Sequence, residues 1–135
     1  MNRSLPEWLA FIERQHPKAI ALGLDRVAGV SYRMKLQLPS VITVGGTNGK
    51  GSSCAMLEAM LRAGGYKTGL YTSPHLVAYN ERVRIAGADA SDGLLCESFE
   101  AVEAARGDTP LTYFEYGTLA AFWVFAREKV EVAIL

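Results

Sequence analysis

Apolar positions recurring at helical and strand periods divide the chain into alternating elements. Leu5, Trp8, Leu9 and Ile12 fall at i, i+3, i+4 and i+7 and predict a helix over residues 4–15. Ser4 and Glu7 read as its capping box, Pro6 fits its first turn, and Pro17 stops it. Residues 22–25 read as a turn into a second helix, with Leu24, Val27, Ala28 and Ser31 on one face and Pro39 closing the segment. Residues 41–44 are a short, buried, β-branched strand. A glycine-rich loop follows, then a helix over residues 52–63 with Cys54, Leu57 and Leu61 as its buried stripe and Gly64-Gly65 as its stop. Residues 67–72 are a second strand. Strand, glycine turn, helix and strand make a βαβ unit, so the two strands are expected to be parallel with a right-handed crossover.

Residues 73–80 read as a loop. Glu81-Arg82-Val83-Arg84-Ile85 alternates polar and apolar, the pattern of a half-exposed strand. Residues 87–93 are turn-rich. Leu95, Phe99 and Val102 mark a helix ending at Gly107, and residues 108–112 form a loop. Leu119, Phe122, Trp123 and Ala126 mark another helix. Residues 130–135 are an apolar, β-branched run, the third strand of the series. No turn residue follows that run, so the fold is expected to continue past Leu135, leaving this last strand without a neighbour on one side.

The loop Gly46-Thr47-Asn48-Gly49-Lys50-Gly51-Ser52 carries the strongest chemical signal. It lies between a strand and a helix start, where glycines let backbone N–H groups approach phosphate oxygens and the helix dipole adds positive potential. Lys50 would reach the β- and γ-phosphates, and Ser52 or Ser53 would offer a hydroxyl to phosphate or Mg²⁺. The match to G-x-x-x-x-G-K-[ST] is partial: Val44 stands where the first glycine belongs, and Gly51 follows Lys50. A plain glycine-rich βα turn with a surface lysine is the alternative.

Composition narrows the classes. The 135 residues are 50% apolar and 21% charged, with 14 basic and 14 acidic side chains, an ordinary globular balance with no basic footprint for nucleic acid or an acidic membrane. The first residues lack the apolar core of a secretory signal, no run reaches membrane-spanning length, and Cys54 and Cys96 lack metal-ligand spacing. These features point to a cytoplasmic protein with reduced thiols.

Gly46-Thr47-Asn48-Gly49-Lys50-Gly51-Ser52 resembles the P-loop of the ATP-dependent amide ligases that include the Mur ligases and folylpolyglutamate synthase. Tyr71-Thr72-Ser73-Pro74-His75-Leu76, followed by Asn80-Glu81-Arg82-Val83-Arg84-Ile85-Ala86-Gly87, looks like the Ser-Pro-His-Leu and Glu-Arg signature of the folate branch. Leu111-Thr112-Tyr113-Phe114-Glu115-Tyr116-Gly117-Thr118 and Leu22-Gly23-Leu24-Asp25-Arg26-Val27 are similar to further segments of that branch. With these four ordered motifs, essentially the whole chain resembles the bacterial bifunctional dihydrofolate synthase/folylpolyglutamate synthase family.

The resemblance implies an α/β P-loop fold with a mainly parallel sheet and helices on both faces. Residues 1–135 would be an incomplete N-terminal ATP-binding domain, with the glutamate-binding C-terminal domain expected to lie outside them. The implied reaction is ATP-dependent ligation of L-glutamate to dihydropteroate, and to reduced folates, through an acyl phosphate. The fragment alone is expected to be inactive and the full-length parent to be a monomer. A Mur-type ligase acting on a cell-wall precursor, or a non-catalytic nucleotide-binding fragment, is the alternative.

By resemblance, Thr47, Asn48, Gly49, Lys50, Gly51 and Ser52 bind ATP, with Lys50 catalytic, and Ser73 binds Mg²⁺. Thr112, Tyr113, Phe114 and Glu115, with Leu22, Gly23, Leu24 and Asp25, bind the pterin substrate. An acidic metal ligand is expected directly after the strand ending at Leu135. Local readings stand beside these: a turn serine at Ser73, a satisfied structural role for His75, a solvated strand edge for Glu81 and Arg82, and a capping box for Thr112 and Glu115. Cys54 reads as core packing.

Overall fold

The computed structural model describes residues 3–15, 25–46 and 49–135, and its elements follow the sequence pattern closely. They are α1 (Leu5–Glu13), α2 (Asp25–Met34), β1 (Ser40–Ile42), α3 (Lys50–Ala63), β2 (Thr68–Tyr71), β3 (Val83–Ile85), β4 (Ala88–Asp89), α4 (Asp92–Arg106), α5 (Tyr113–Arg127) and β5 (Val132–Ile134). The helix stop predicted at Pro17 lies outside the described residues. The chain divides into two compact units, residues 1–36 with 92–124, and residues 37–91 with 125–135.

The helical unit is built on the predicted stripes. Ser4 caps α1: its hydroxyl accepts from the Glu7 N–H, and Glu7 Oε1 accepts from the Ser4 N–H at 3.1 Å. Leu5, Trp8 and Ile12 are buried, as are Leu95, Phe99 and Val102 of α4. The Trp8 and Phe99 rings lie 6.0 Å apart. On α2 the pattern differs from expectation: Val30 is the buried residue, and Ala28 is exposed. On α5, Tyr116, Leu119, Ala120 and Val124 are fully buried, whereas Phe122 and Trp123 are only half-buried. Arg106, at the end of α4, donates to Gln15 Oε1 at 2.7 Å, to Glu103 and to the Tyr116 hydroxyl, which itself donates to Glu103. Gly107 at φ +56° then reverses the chain.

The sheet unit has strand order β1-β5-β2-β3-β4. β1 and β2 each pair in parallel with β5, while β3 and β4 extend the sheet antiparallel. The expected parallel relation of β1 and β2 therefore holds with β5 inserted between them. This corrects the expectation of a lone edge at β5, which has a hydrogen-bonded neighbour on each side. The edges are β1 and β4, and Val41 of β1 is correspondingly 43% exposed rather than buried.

Glu81 and Arg82 do not begin a strand; they close a 3-10 turn (Tyr79–Arg82), and the antiparallel strand starts at Val83. The turn-rich segment at residues 87–93 also includes the two-residue strand β4. α3 packs its predicted stripe on the sheet. Cys54, Leu70 and Ile134 form a buried cluster against which Val44, Leu57 and Leu61 pack. Glu58 is also buried on α3, paired with Arg84 of β3 at 3.2 Å. In β2, a Cβ at Gly69 would lie 2.7 Å from the Phe125 ring, so only glycine permits this approach.

Candidate functional site

The glycine loop leaves the sheet at the carboxyl end of β1. The Leu135 N–H donates to the Ile42 carbonyl at 2.9 Å and the Val44 N–H to the Leu135 carbonyl at 2.8 Å, carrying the ladder to the edge of the loop. Gly46 at φ +136° and Gly49 at φ +74° adopt conformations that favour glycine. Gly49 is the N-cap of α3, with no side-chain cap and no acidic residue in the first turn. The first intrahelical bond runs from the Ser53 N–H to the Gly49 carbonyl at 2.9 Å. The N–H groups of Lys50, Gly51 and Ser52 precede it, as the orphan donors of a helix start do. These three residues are exposed, and a Cβ placed at Gly46, Gly49 or Gly51 meets nothing within 4 Å. Such an open cradle of donors at a positive helix end suits an anion. Thr47 and Asn48 lie outside the described residues.

Strand register sets the second component. Ile42, Ile134 and Leu70 are aligned across β1, β5 and β2. Gly45 follows Ile42 by three residues, and Ser73 follows Leu70 by three. The glycine loop and Ser73 therefore leave the same carboxyl edge of the parallel strands, two strand spacings apart, roughly 10 Å. That edge is where open α/β sheets bind ligands. Ser73 is exposed there. Cys54, one turn into α3, is buried in the core cluster, and burial pushes its thiol pKa up despite the opposing charge of Lys50. Its role is packing.

The segment after Ser73 is held by Glu81. Its carboxylate accepts backbone N–H groups from Leu76 at 2.8 Å, Val77 at 3.0 Å and Ala78 at 2.9 Å. The Ala78 and Leu76 bonds lead in holding its carboxyl below the usual glutamate range. Arg82 Nε donates to His75 Nδ1 at 2.8 Å, and the Tyr79 ring packs edge-on to His75 at 5.8 Å. Glu81, Arg82 and His75 thus organise this loop, which replaces the solvated-edge reading. The sequence signal was present: Glu81 stands three to five residues after three successive loop N–H groups.

The described pterin-side candidates, Asp25 and Thr112 to Glu115, lie in the helical unit. Thr112 and Glu115 make the capping box of α5: the Glu115 N–H donates to Thr112 Oγ1 at 3.2 Å, and the Thr112 N–H to Glu115 Oε1 at 2.9 Å. Arg26 of α2 also grips Glu115, with Nη2 2.8 Å from Oε2 and Nε 3.3 Å from Oε1. Burial pushes the Glu115 pKa up, but the Arg26 and Thr112 bonds outweigh it and hold the carboxyl below its ordinary value. Thr112 and Glu115 are buried, Tyr113 is half-buried, and Phe114 is 54% exposed. Asp25 is exposed at the start of α2, while Leu22, Gly23 and Leu24 lie outside the described residues. Sequence reasoning did not single out Arg26, although it adjoins Asp25 in the quoted motif.

Among the described residues, no group of three or more His, Cys, Asp and Glu side chains could hold a metal ion, and no helix is long and apolar enough to cross a membrane. Ser73 and Ser52 offer exposed neutral oxygens. Mg²⁺ usually keeps several waters and is bound through one or two carboxylates plus substrate phosphates, so these hydroxyls would be at most part of its donor set.

No protein-family model matches the chain. Individual proteins do. The dihydrofolate synthase/folylpolyglutamate synthase of Escherichia coli K12 is 50% identical over 133 residues, which is 97% of this chain and 32% of that protein. The structure of E. coli FolC in complex with DHPP and ADP superposes with a TM-score of 0.95 at 50% identity, covering 98% of this chain and 33% of that one. A bifunctional folylpolyglutamate synthase/dihydrofolate synthase with Mn, AMPPNP and L-glutamate bound gives a TM-score of 0.92 at 47% identity, covering 99% and 33%. Over nearly all of its length the chain is therefore homologous to the bacterial bifunctional dihydrofolate synthase/folylpolyglutamate synthases, and it spans about a third of the length of the relatives it matches.

Proposed function

We propose that the chain carries the nucleotide-binding and pterin-side parts of an ATP-dependent ligase that joins L-glutamate to dihydropteroate and to reduced folates. A carboxylate oxygen of the pterin substrate attacks the γ-phosphorus of ATP, and ADP leaves. The glutamate amine then attacks the acyl carbon of the resulting acyl phosphate, loses a proton, and phosphate leaves as the amide forms.

The observation that carries this reading is the open glycine loop at the start of α3, on the carboxyl edge of β1. Phosphoryl transfer is chiefly a matter of positioning and charge neutralisation. The N–H groups at the start of α3 would hold phosphate oxygens, and the Lys50 ammonium would neutralise their charge. Ser73, with Ser52, would lend oxygen to Mg²⁺, which when bound screens the phosphate charge. Relatives solved with ADP, and with AMPPNP, Mn and L-glutamate, support the reading.

Because the chain spans a third of its relatives, we assign it part of the ATP-binding domain and binding without turnover. Titration with AMPPNP and Mg²⁺, together with phosphate release from ATP in the presence of dihydropteroate and L-glutamate, tests this. Nucleotide binding without glutamate-dependent release is expected. A folded chain that binds no nucleotide contradicts the cradle, and steady glutamate-dependent release contradicts the division of labour.

A further inference from the structure

The start of α5 carries two aromatic side chains between two residues whose polar groups are already engaged. Both oxygens of Glu115 are used: Oε1 accepts from the Thr112 N–H and from Arg26 Nε, and Oε2 from Arg26 Nη2. The pair is largely buried, with side-chain exposures of 22% for Arg26 and 10% for Glu115. Glu115 is therefore poorly placed to read a ligand itself. Beside it, Tyr113 is half-buried and Phe114 is 54% exposed, and an aromatic side chain with accessible surface can pack against a planar ring. Arg26 follows Asp25 directly, so its two-point contact ties the first turn of α2 to the first turn of α5 across 89 positions of sequence. The guanidinium fork fixes both distance and orientation; a lysine ammonium cannot reproduce that geometry.

We propose that Arg26 is a positioning residue for the pterin-side ligand: through Glu115 it fixes the start of α2 against the start of α5, so that Asp25, Tyr113 and Phe114 keep one spacing for a single bound ring system. This rests on the pterin-side reading of these segments given above. Arg26 acts through Glu115 and need not touch the ligand.

The test compares the wild-type chain with Arg26→Ala, Arg26→Lys and Glu115→Gln, titrating each with dihydropteroate and separately with AMPPNP and Mg²⁺, and following thermal unfolding. Arg26→Ala should lose roughly tenfold or more of dihydropteroate affinity, the scale of a lost charge-assisted contact. Its AMPPNP affinity should stay within about twofold, because neither Arg26 nor Glu115 belongs to the glycine loop. Arg26→Lys should recover only part of the loss, and Glu115→Gln should lie between Arg26→Ala and wild type. Unchanged dihydropteroate binding in a folded Arg26→Ala chain overturns the inference alone. Equal weakening of both ligands, tracking lost stability, reduces Arg26 to a fold-stabilising role and also overturns it. A folded wild-type chain that binds no dihydropteroate removes the pterin-side reading and Arg26's role with it.

Discussion

Lys50→Ala should move stability and binding in opposite directions. Lys50 is the first residue of α3, exposed, and follows a glycine N-cap with no acidic residue in the first turn. A cation at a helix N-terminus opposes the macrodipole at a cost of about 0.3–1 kcal/mol, and alanine is the better helix former. Removing the ammonium should therefore leave the melting temperature unchanged or raise it by a few degrees. The phosphate cradle predicts the reverse for ligand. A hydrogen bond to a charged group contributes about 1.5–3 kcal/mol, which corresponds to roughly ten- to a hundredfold in affinity. The assay is calorimetric titration of both chains with AMPPNP and Mg²⁺, alongside thermal unfolding by circular dichroism. A variant that unfolds several degrees earlier would show that Lys50 serves the fold. A variant that binds AMPPNP as tightly as wild type would refute the cradle argument.

Gly69→Ala should cost about 1–3 kcal/mol in denaturant unfolding, the usual range for overpacking, because its Cβ would come 2.7 Å from the Phe125 ring; a neutral result would contradict the packing of β2. Glu81→Ala should speed hydrogen exchange at the amides of Leu76, Val77 and Ala78, whose acceptor it removes, with no change at Val83 in the following strand. Glu115 has its pKa depressed from 4.5, so the stability it contributes is fully present above that value and is lost as pH falls through the lower folded value. Unfolding followed from pH 7 to pH 3 should therefore show a flatter acid decline for Glu115→Gln than for wild type; parallel declines would contradict the Arg26–Glu115 pair.

Much of the fold was legible because local signals agreed with one another. The Ser4–Glu7 capping box, the Cys54, Leu57 and Leu61 stripe, and the Leu95, Phe99 and Val102 face each follow from periodicity and capping alone. What failed depended on strand order, which periodicity does not encode. An apolar run such as residues 130–135 reads as buried, yet the sequence does not say that it slots between β1 and β2 rather than at an edge. For the same reason Val41, β-branched and strand-like, appeared buried although it lies on an edge strand. Glu81 and Arg82 fitted a period-2 pattern by chance of alternation, while three backbone N–H groups closing on one carboxylate made a turn there instead. At the candidate site, the glycine loop was visible because its conformational demand is written in residue type. Arg26 was not, because its partner lies 89 positions away and only the fold brings the two together.

The proposed function requires nucleotide phosphates to sit in the glycine loop at the start of α3, on the edge shared with Ser73. It is tested most directly by backbone amide NMR of the isotopically labelled chain during titration with AMPPNP and Mg²⁺. Saturable shifts are expected to concentrate at Gly46, Gly49, Lys50, Gly51 and Ser52, with smaller shifts near Ser73 and none at Gly87 in the β3–β4 turn. Saturable shifts elsewhere in a folded chain, with the amides of Gly49, Lys50 and Gly51 unmoved, would contradict it.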